Sequence, residues 1–156
     1  MKTIHLYWEK HEWKEDIFKN FNSSRKDVGI YQIYGYHPIY GEDTLLYIGQ
    51  TKQTYSARLK QHDKEDTSRP AYKRVHLSFF HATNDIKFSR WKNYYIDKVE
   101  KLLINAHFPA LNSNLVKGVL PPNEFDDGVL ILNWDDHGKL LPEVSSFRYS
   151  YDSWSE

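Results

Sequence analysis

Two short runs of β-forming residues, separated by a turn, set the frame of this chain. Val28 to Tyr36 and Leu45 to Ile48 are rich in β-branched and aromatic side chains. The connection His37-Pro38-Ile39-Tyr40-Gly41-Glu42-Asp43 carries Pro and Gly, so it turns. A loop this short favours antiparallel strands. Side chains alternate along a strand, so Gly29, Tyr31 and Ile33 share a face, as do Leu45, Tyr47 and Gly49. Under one of the two register parities, Tyr31 and Tyr47 lie on the same side. A helix then starts from Thr54, a good N-cap residue, and spaces Arg58 and His62 four apart on one side. Taken singly, a strand tyrosine packs and a helix arginine is solvated. Taken together, two phenols, a guanidinium and an imidazole converge on one groove, a concentration of groups suited to phosphate chemistry.

Composition limits what surrounds this frame. The chain has 156 residues, 40% hydrophobic and 27% charged, enough for one globular domain with a real core. It has no cysteine, which excludes disulfides and thiolate zinc sites. No apolar run approaches a membrane span, and the N-terminus lacks the apolar core of a secretory signal, so an intracellular, cytoplasmic protein is expected. Net charge is zero but unevenly spread. Residues 50 to 101 carry twelve Lys and Arg against six Asp and Glu, whereas residues 102 to 156 carry three against eight. The basic stretch holds Arg58, and with Lys52, Lys60, Lys73 and Arg74 it offers a face for a polyanion.

Along the chain, Trp13, Ile17 and Phe21 repeat every four residues beside Trp8 and Phe18, which predicts an N-terminal helix over 8 to 21. A loop over 22 to 27 leads to the first strand. The helix after Thr54 fades before Pro70, and Val75 to His81 reads as a third strand. A second helix is expected over about Ser89 to Ala106, with Trp91, Tyr95, Val99, Leu102, Leu103 and Ala106 as its apolar stripe and Glu100 beside it. Beyond Pro121-Pro122, Val129 to Trp134 and Lys139 to Val144 flank Asp135-Asp136-His137-Gly138 as a hairpin, and Phe147 to Tyr151 alternates like a last strand. The expected architecture is α/β (α+β), with a small, mainly antiparallel three-stranded sheet flanked by helices. It is one domain over 1 to 156, with a helical extension over 1 to 27, a core over 28 to 114 and a β-rich hairpin extension over 115 to 156.

Gly29-Ile30-Tyr31 followed by Tyr47-Ile48-Gly49, then Arg58 on the next helix, Glu100 on a later one and Asn112 shortly after, resembles the GIY-YIG nuclease superfamily. The resemblance covers residues 28 to 114. It implies a DNA endonuclease that uses one divalent ion per site, Mg²⁺ or Mn²⁺, and leaves 5′-phosphate and 3′-hydroxyl ends. It makes Glu100 the metal ligand, since hard oxygen donors suit Mg²⁺. Arg58 would clamp the scissile phosphate. Tyr31 would accept the proton of the attacking water and pass its own to His62, because a phenol ordinarily titrates near 10 and an imidazole near 6.5. Tyr47 would hold a phosphate oxygen or orient Tyr31, and either tyrosine can be the base. Asn112 would bind phosphate or backbone, with Asn114 its rival. Gly29 and Gly49 read as close-packing positions. His37, His76, His81 and His107 have no metal-ligand spacing and read as surface or packing residues. The partner is DNA, duplex or branched, without a membrane, and a homodimer or a second protein would supply specificity. The alternative is a non-catalytic nucleic-acid-binding module on the same scaffold, which zero net charge favours and the intact residue set opposes.

Overall fold

The computed structural model describes residues 1–18, 28–65, 72–81, 84–112 and 128–149. Strands dominate it. They are β1 (Lys2–Glu12), β2 (Gly29–His37), β3 (Gly41–Thr51), β4 (Tyr72–Phe80), β5 (Val129–Asp135) and β6 (Glu143–Ser145). All six join one mixed sheet in the order β3-β2-β4-β1-β5-β6, curled into a half-barrel. The β1–β5 pairing is parallel, with Lys2 opposite Val129 and Trp8 opposite Asp135. The remaining pairings are antiparallel. The helices are α1 (Tyr55–Glu65), α2 (Phe88–Arg90), a π-helical turn (Trp91–Tyr95) that runs on into α3 (Ile96–His107), and a short α4 (Ser146–Tyr149).

The expectation of a three-stranded sheet flanked by helices is therefore wrong. Strands β2, β3 and β4 are present and antiparallel, but they form only one half of a six-stranded sheet. The helix expected over 8 to 21 is instead β1 through Glu12, followed by a 3₁₀ turn at Glu15–Phe18. The physical reason is visible in the burial. Ile4, Leu6 and Trp8 are buried at every second position, a period of two that belongs to a strand. Trp8 packs on one face of the sheet, while Trp13 and Ile17 pack on the other. Phe21, like residues 19 to 27 generally, lies outside the described residues. The C-terminal hairpin is not an appendage, because β5 hydrogen-bonds directly to β1. The strand expected at Phe147 to Tyr151 begins as α4 instead.

Alternation divides the sheet into two cores. On one face, Ile4, Leu6, Ile30, Ile48 and Ile131 pack beneath Trp91, Val99, Leu102 and Leu103 of the long helical run. On the other, Tyr31, Ile33, Val75 and Leu77 pack beneath Tyr55 and Leu59 of α1 and Ile17. The helices α1 and α3 thus sit on opposite faces of the sheet. Polar ties lock the C-terminal hairpin on. Trp8 Nε1 donates to Asn133 Oδ1 (2.9 Å), and Asn133 Nδ2 donates to the Leu141 carbonyl (2.8 Å). His107 Nδ1 donates to the Leu103 carbonyl (2.8 Å) while its Nε2 accepts from Leu141 N (2.8 Å), so this histidine is a structural joint.

Candidate active site

The β2–β3 register decides where the tyrosines go. Tyr31 pairs with Gly49 and Ile33 with Tyr47, so both phenols project from the α1 face, diagonally placed. The Tyr31 ring crosses the backbone at Gly49, where a Cβ would collide with the phenol oxygen and ring carbon. Gly29 makes similar room for the Tyr55 hydroxyl, which bonds the backbone oxygens of Ile30 and Ser78. Both glycines are close-packing positions in this structure.

Helix α1 brings the other two groups. Ala57 N donates to Thr54 Oγ1 (3.2 Å), so Thr54 caps the helix. Arg58 Nε donates to the Tyr31 oxygen at 3.2 Å, and Tyr31 lies 2.8 Å from His62 Nε2. A phenol oxygen that accepts from a guanidinium donates its own proton onward, here to His62. The Tyr47 ring packs against His62 with centroids 5.0 Å apart. Arg58 Nη1 also donates to Gln61 Oε1 (2.7 Å), which fixes the guanidinium from the solvent side.

Glu100 stands on α3, which packs on the other face of the sheet, and is linked to this cluster by charge. Its charge acts on Tyr31, and Arg58 acts on it in turn. Burial pushes the Glu100 carboxyl up to about 7, and the Asp97 charge pushes the same way; Arg58, a hydrogen bond from Gln50, and Lys101 pull against them. Asp97 goes in the opposite direction. Burial raises it, but the hydrogen bonds from Gln50 and Lys52 and the charges of Lys52 and Lys101 outweigh burial, so it lies below the usual carboxylate range. Two carboxyls one helical turn apart are therefore split into an ionised one and a poised one, a division typical of functional sites. Burial likewise lifts the Tyr31 phenol to about 12, with the Arg58 charge and hydrogen bond opposing, and Glu100 and Tyr47 adding to the rise.

Gln50 and Asp97 are the site residues that sequence reasoning missed. Gln50 directly follows the Tyr47-Ile48-Gly49 run, and Asp97 stands three residues before Glu100 on a helix. That i, i+3 spacing was a usable signal for a second acid on the same side. Gln50 Nε2 donates to Asp97 Oδ1, and Lys52 Nζ donates to Asp97 Oδ2 at 3.2 Å.

The remaining expected residues divide. Asn112 does not face the groove with a spare amide. Its Oδ1 accepts from Ile48 N (3.0 Å) and its Nδ2 donates to Ile48 O (2.9 Å), so it clamps the β3 backbone between Tyr47 and Gly49. Asn114 lies outside the described residues. Lys60 is exposed on α1. Lys73 is exposed near Glu42 (3.9 Å). Arg74 stands on the opposite face from Tyr31, over the Tyr34 ring at 4.0 Å and ion-paired with Asp43. Its guanidinium is engaged away from the Tyr31–His62 groove.

Oxygen donors around Glu100 suit a hard divalent cation. Glu100 supplies a carboxylate, and Gln50 Oε1 is buried with no hydrogen-bond partner, while both Asp97 oxygens are taken by Gln50 and Lys52. Among the described residues, no three His, Asp or Glu side chains gather as a ready-made metal cluster.

Compared with protein-family models, with curated proteins and with solved structures, the chain matches none. No helix among the described residues is long and apolar enough to cross a membrane.

Proposed function

We propose that the chain is a metal-dependent endonuclease that hydrolyses phosphodiester bonds in DNA to 5′-phosphate and 3′-hydroxyl ends. One observation carries the reading: a buried tyrosine hydroxyl held between an arginine Nε and a histidine Nε2, with a poised glutamate in electrostatic contact. Burial keeps the Tyr31 phenol protonated at neutral pH, so it does not act as a resting phenolate. It acts as a relay. The attacking water gives a proton to the Tyr31 oxygen as the Tyr31 proton passes to His62 Nε2, and the water oxygen forms the new bond to phosphorus while the bond to the 3′-oxygen breaks. Solvent water protonates the departing 3′-oxygen. Arg58 faces the same space and neutralises charge on the phosphate. Glu100 would hold a divalent ion, which would supply charge neutralisation at phosphorus and at the leaving oxygen.

The reading covers a restriction-like enzyme or a structure-specific repair nuclease acting with a second copy or a partner. The test is incubation of plasmid and branched DNA with Mg²⁺, comparing the wild type with Glu100→Ala. Nicking or cutting by the wild type alone is expected. Cleavage that survives Glu100→Ala refutes the role of that carboxylate. No cleavage of any duplex or branched substrate favours a binding module.

A further inference from the structure

Among the described residues, four buried side-chain polar atoms lack a hydrogen-bond partner, and one of them, the Gln50 oxygen, belongs to the strand that carries Tyr47. Gln50 follows the glycine that receives the Tyr31 ring, and alternation turns its side chain to the α3 face. There its Nε2 donates to Asp97 Oδ1, and its amide lies close enough to Glu100 to pull that carboxyl downward. Asp97 is fixed in turn by Lys52 Nζ at 3.2 Å. The nitrogen end of the amide is thus engaged by Asp97, while Oε1 is buried and accepts nothing. A buried acceptor left without a donor is rare in folded proteins and calls for an explanation. A carboxamide oxygen is also a neutral, hard donor of the kind that divalent cations take alongside a carboxylate.

We propose that Gln50 Oε1 is the second protein oxygen of the divalent-cation site, and that Asp97, braced by Lys52, is the positioning residue that holds the amide in place. The proposal rests on the reading of Glu100 as the first ligand. It assigns the Asp97 carboxylate a task outside the ion's coordination: anchoring the neutral ligand rather than adding a second charge. It also accounts for a site of this kind with so few acids. One carboxylate supplies the charge and one amide supplies the added contact.

The test is titration calorimetry of the full chain with Mg²⁺ and with Mn²⁺, without nucleic acid, at about pH 8. The variants are Gln50→Ala, Gln50→Glu and Glu100→Gln, each checked for folding by thermal melting. Gln50→Ala should weaken binding about 10- to 100-fold, the range seen when a metal site loses a supporting contact. Gln50→Glu should bind at least as tightly as the wild type, because it restores an oxygen and adds charge; it also keeps the question open to measurement if Gln50→Ala does not fold. Glu100→Gln should abolish binding. Unchanged affinity in Gln50→Ala, or loss in Gln50→Glu, overturns the assignment of Gln50 and leaves the nuclease reading intact. Binding that persists in Glu100→Gln, or no binding by the wild type, overturns both.

Discussion

The Tyr31 hydroxyl stands 2.8 Å from His62 Nε2, across a sheet-to-helix contact that joins residues 31 positions apart. The phenol is thereby hydrogen-bonded to an imidazole, a group able to take its proton. Removing either end of this link should cost about 10²- to 10⁴-fold in cleavage rate, the usual worth of positioned acid–base catalysis. Tyr31→Phe keeps the ring over Gly49 and His62→Gln keeps a polar side chain at the same site, so both variants should melt near the wild type. Single-turnover cleavage of one DNA substrate by both variants checks this. A His62→Gln enzyme as fast as the wild type would rule out the relay.

A methyl group at position 49 should block the same contact from below. Gly49→Ala places a Cβ against the Tyr31 oxygen and ring. Overpacking of this kind costs about 1–3 kcal/mol, and the ring must shift off the line to His62. The expected result is a lower melting temperature together with a loss of cleavage larger than the stability change explains. Melting curves and rates measured on the same preparation separate the two effects.

The Glu100 carboxyl gives stability a definite pH dependence. Its pKa is raised from 4.5 to about 7 in the folded chain, chiefly by burial. Between those values the folded state keeps a proton that the unfolded state has lost. The contribution is therefore fully present below about 4.5 and is lost as pH rises through about 7. Glu100→Gln, which cannot ionise, should be more stable than the wild type at about pH 8 by roughly 1–3 kcal/mol, and close to it at about pH 4. Urea denaturation at the two pH values, without divalent ions, measures the difference. No gain at the higher pH would show that burial does not strain the carboxylate.

Asn112 should matter for the frame more than for the chemistry. Asn112→Ala leaves the N–H and C=O of Ile48 without their side-chain partners, at a cost of about 1–3 kcal/mol. Amide exchange at Ile48 should speed up, and Mg²⁺ affinity should change little. A variant with wild-type stability and no cleavage would return Asn112 to the phosphate.

The local part of the site was legible because its information is local. Strand, turn, strand and capped helix lie within residues 29 to 62, and the tyrosine, arginine and histidine positions follow from periods of two and of four. The framework around them was not. Trp13 and Ile17 carried a helical spacing onto residues that belong partly to β1, while the alternation of Ile4, Leu6 and Trp8 went unused. The parallel partnership of β1 with β5 has no short-range signature, because its two strands share neither a turn nor a crossover motif. Arg74 looked available for a phosphate since charge is read from sequence without its partner, and Asp43 is supplied by the tip of the β2–β3 hairpin.

The parallel strand pair also dictates an order of events during synthesis. The ribosome releases β1 first, yet one neighbour begins at Tyr72 and the other at Val129. Until β4 is made, a strand with one apolar face and both edges bare must wait for company, the condition under which nascent chains stick to one another. Completion of the sheet consequently waits for β5, although β1 is made long before it.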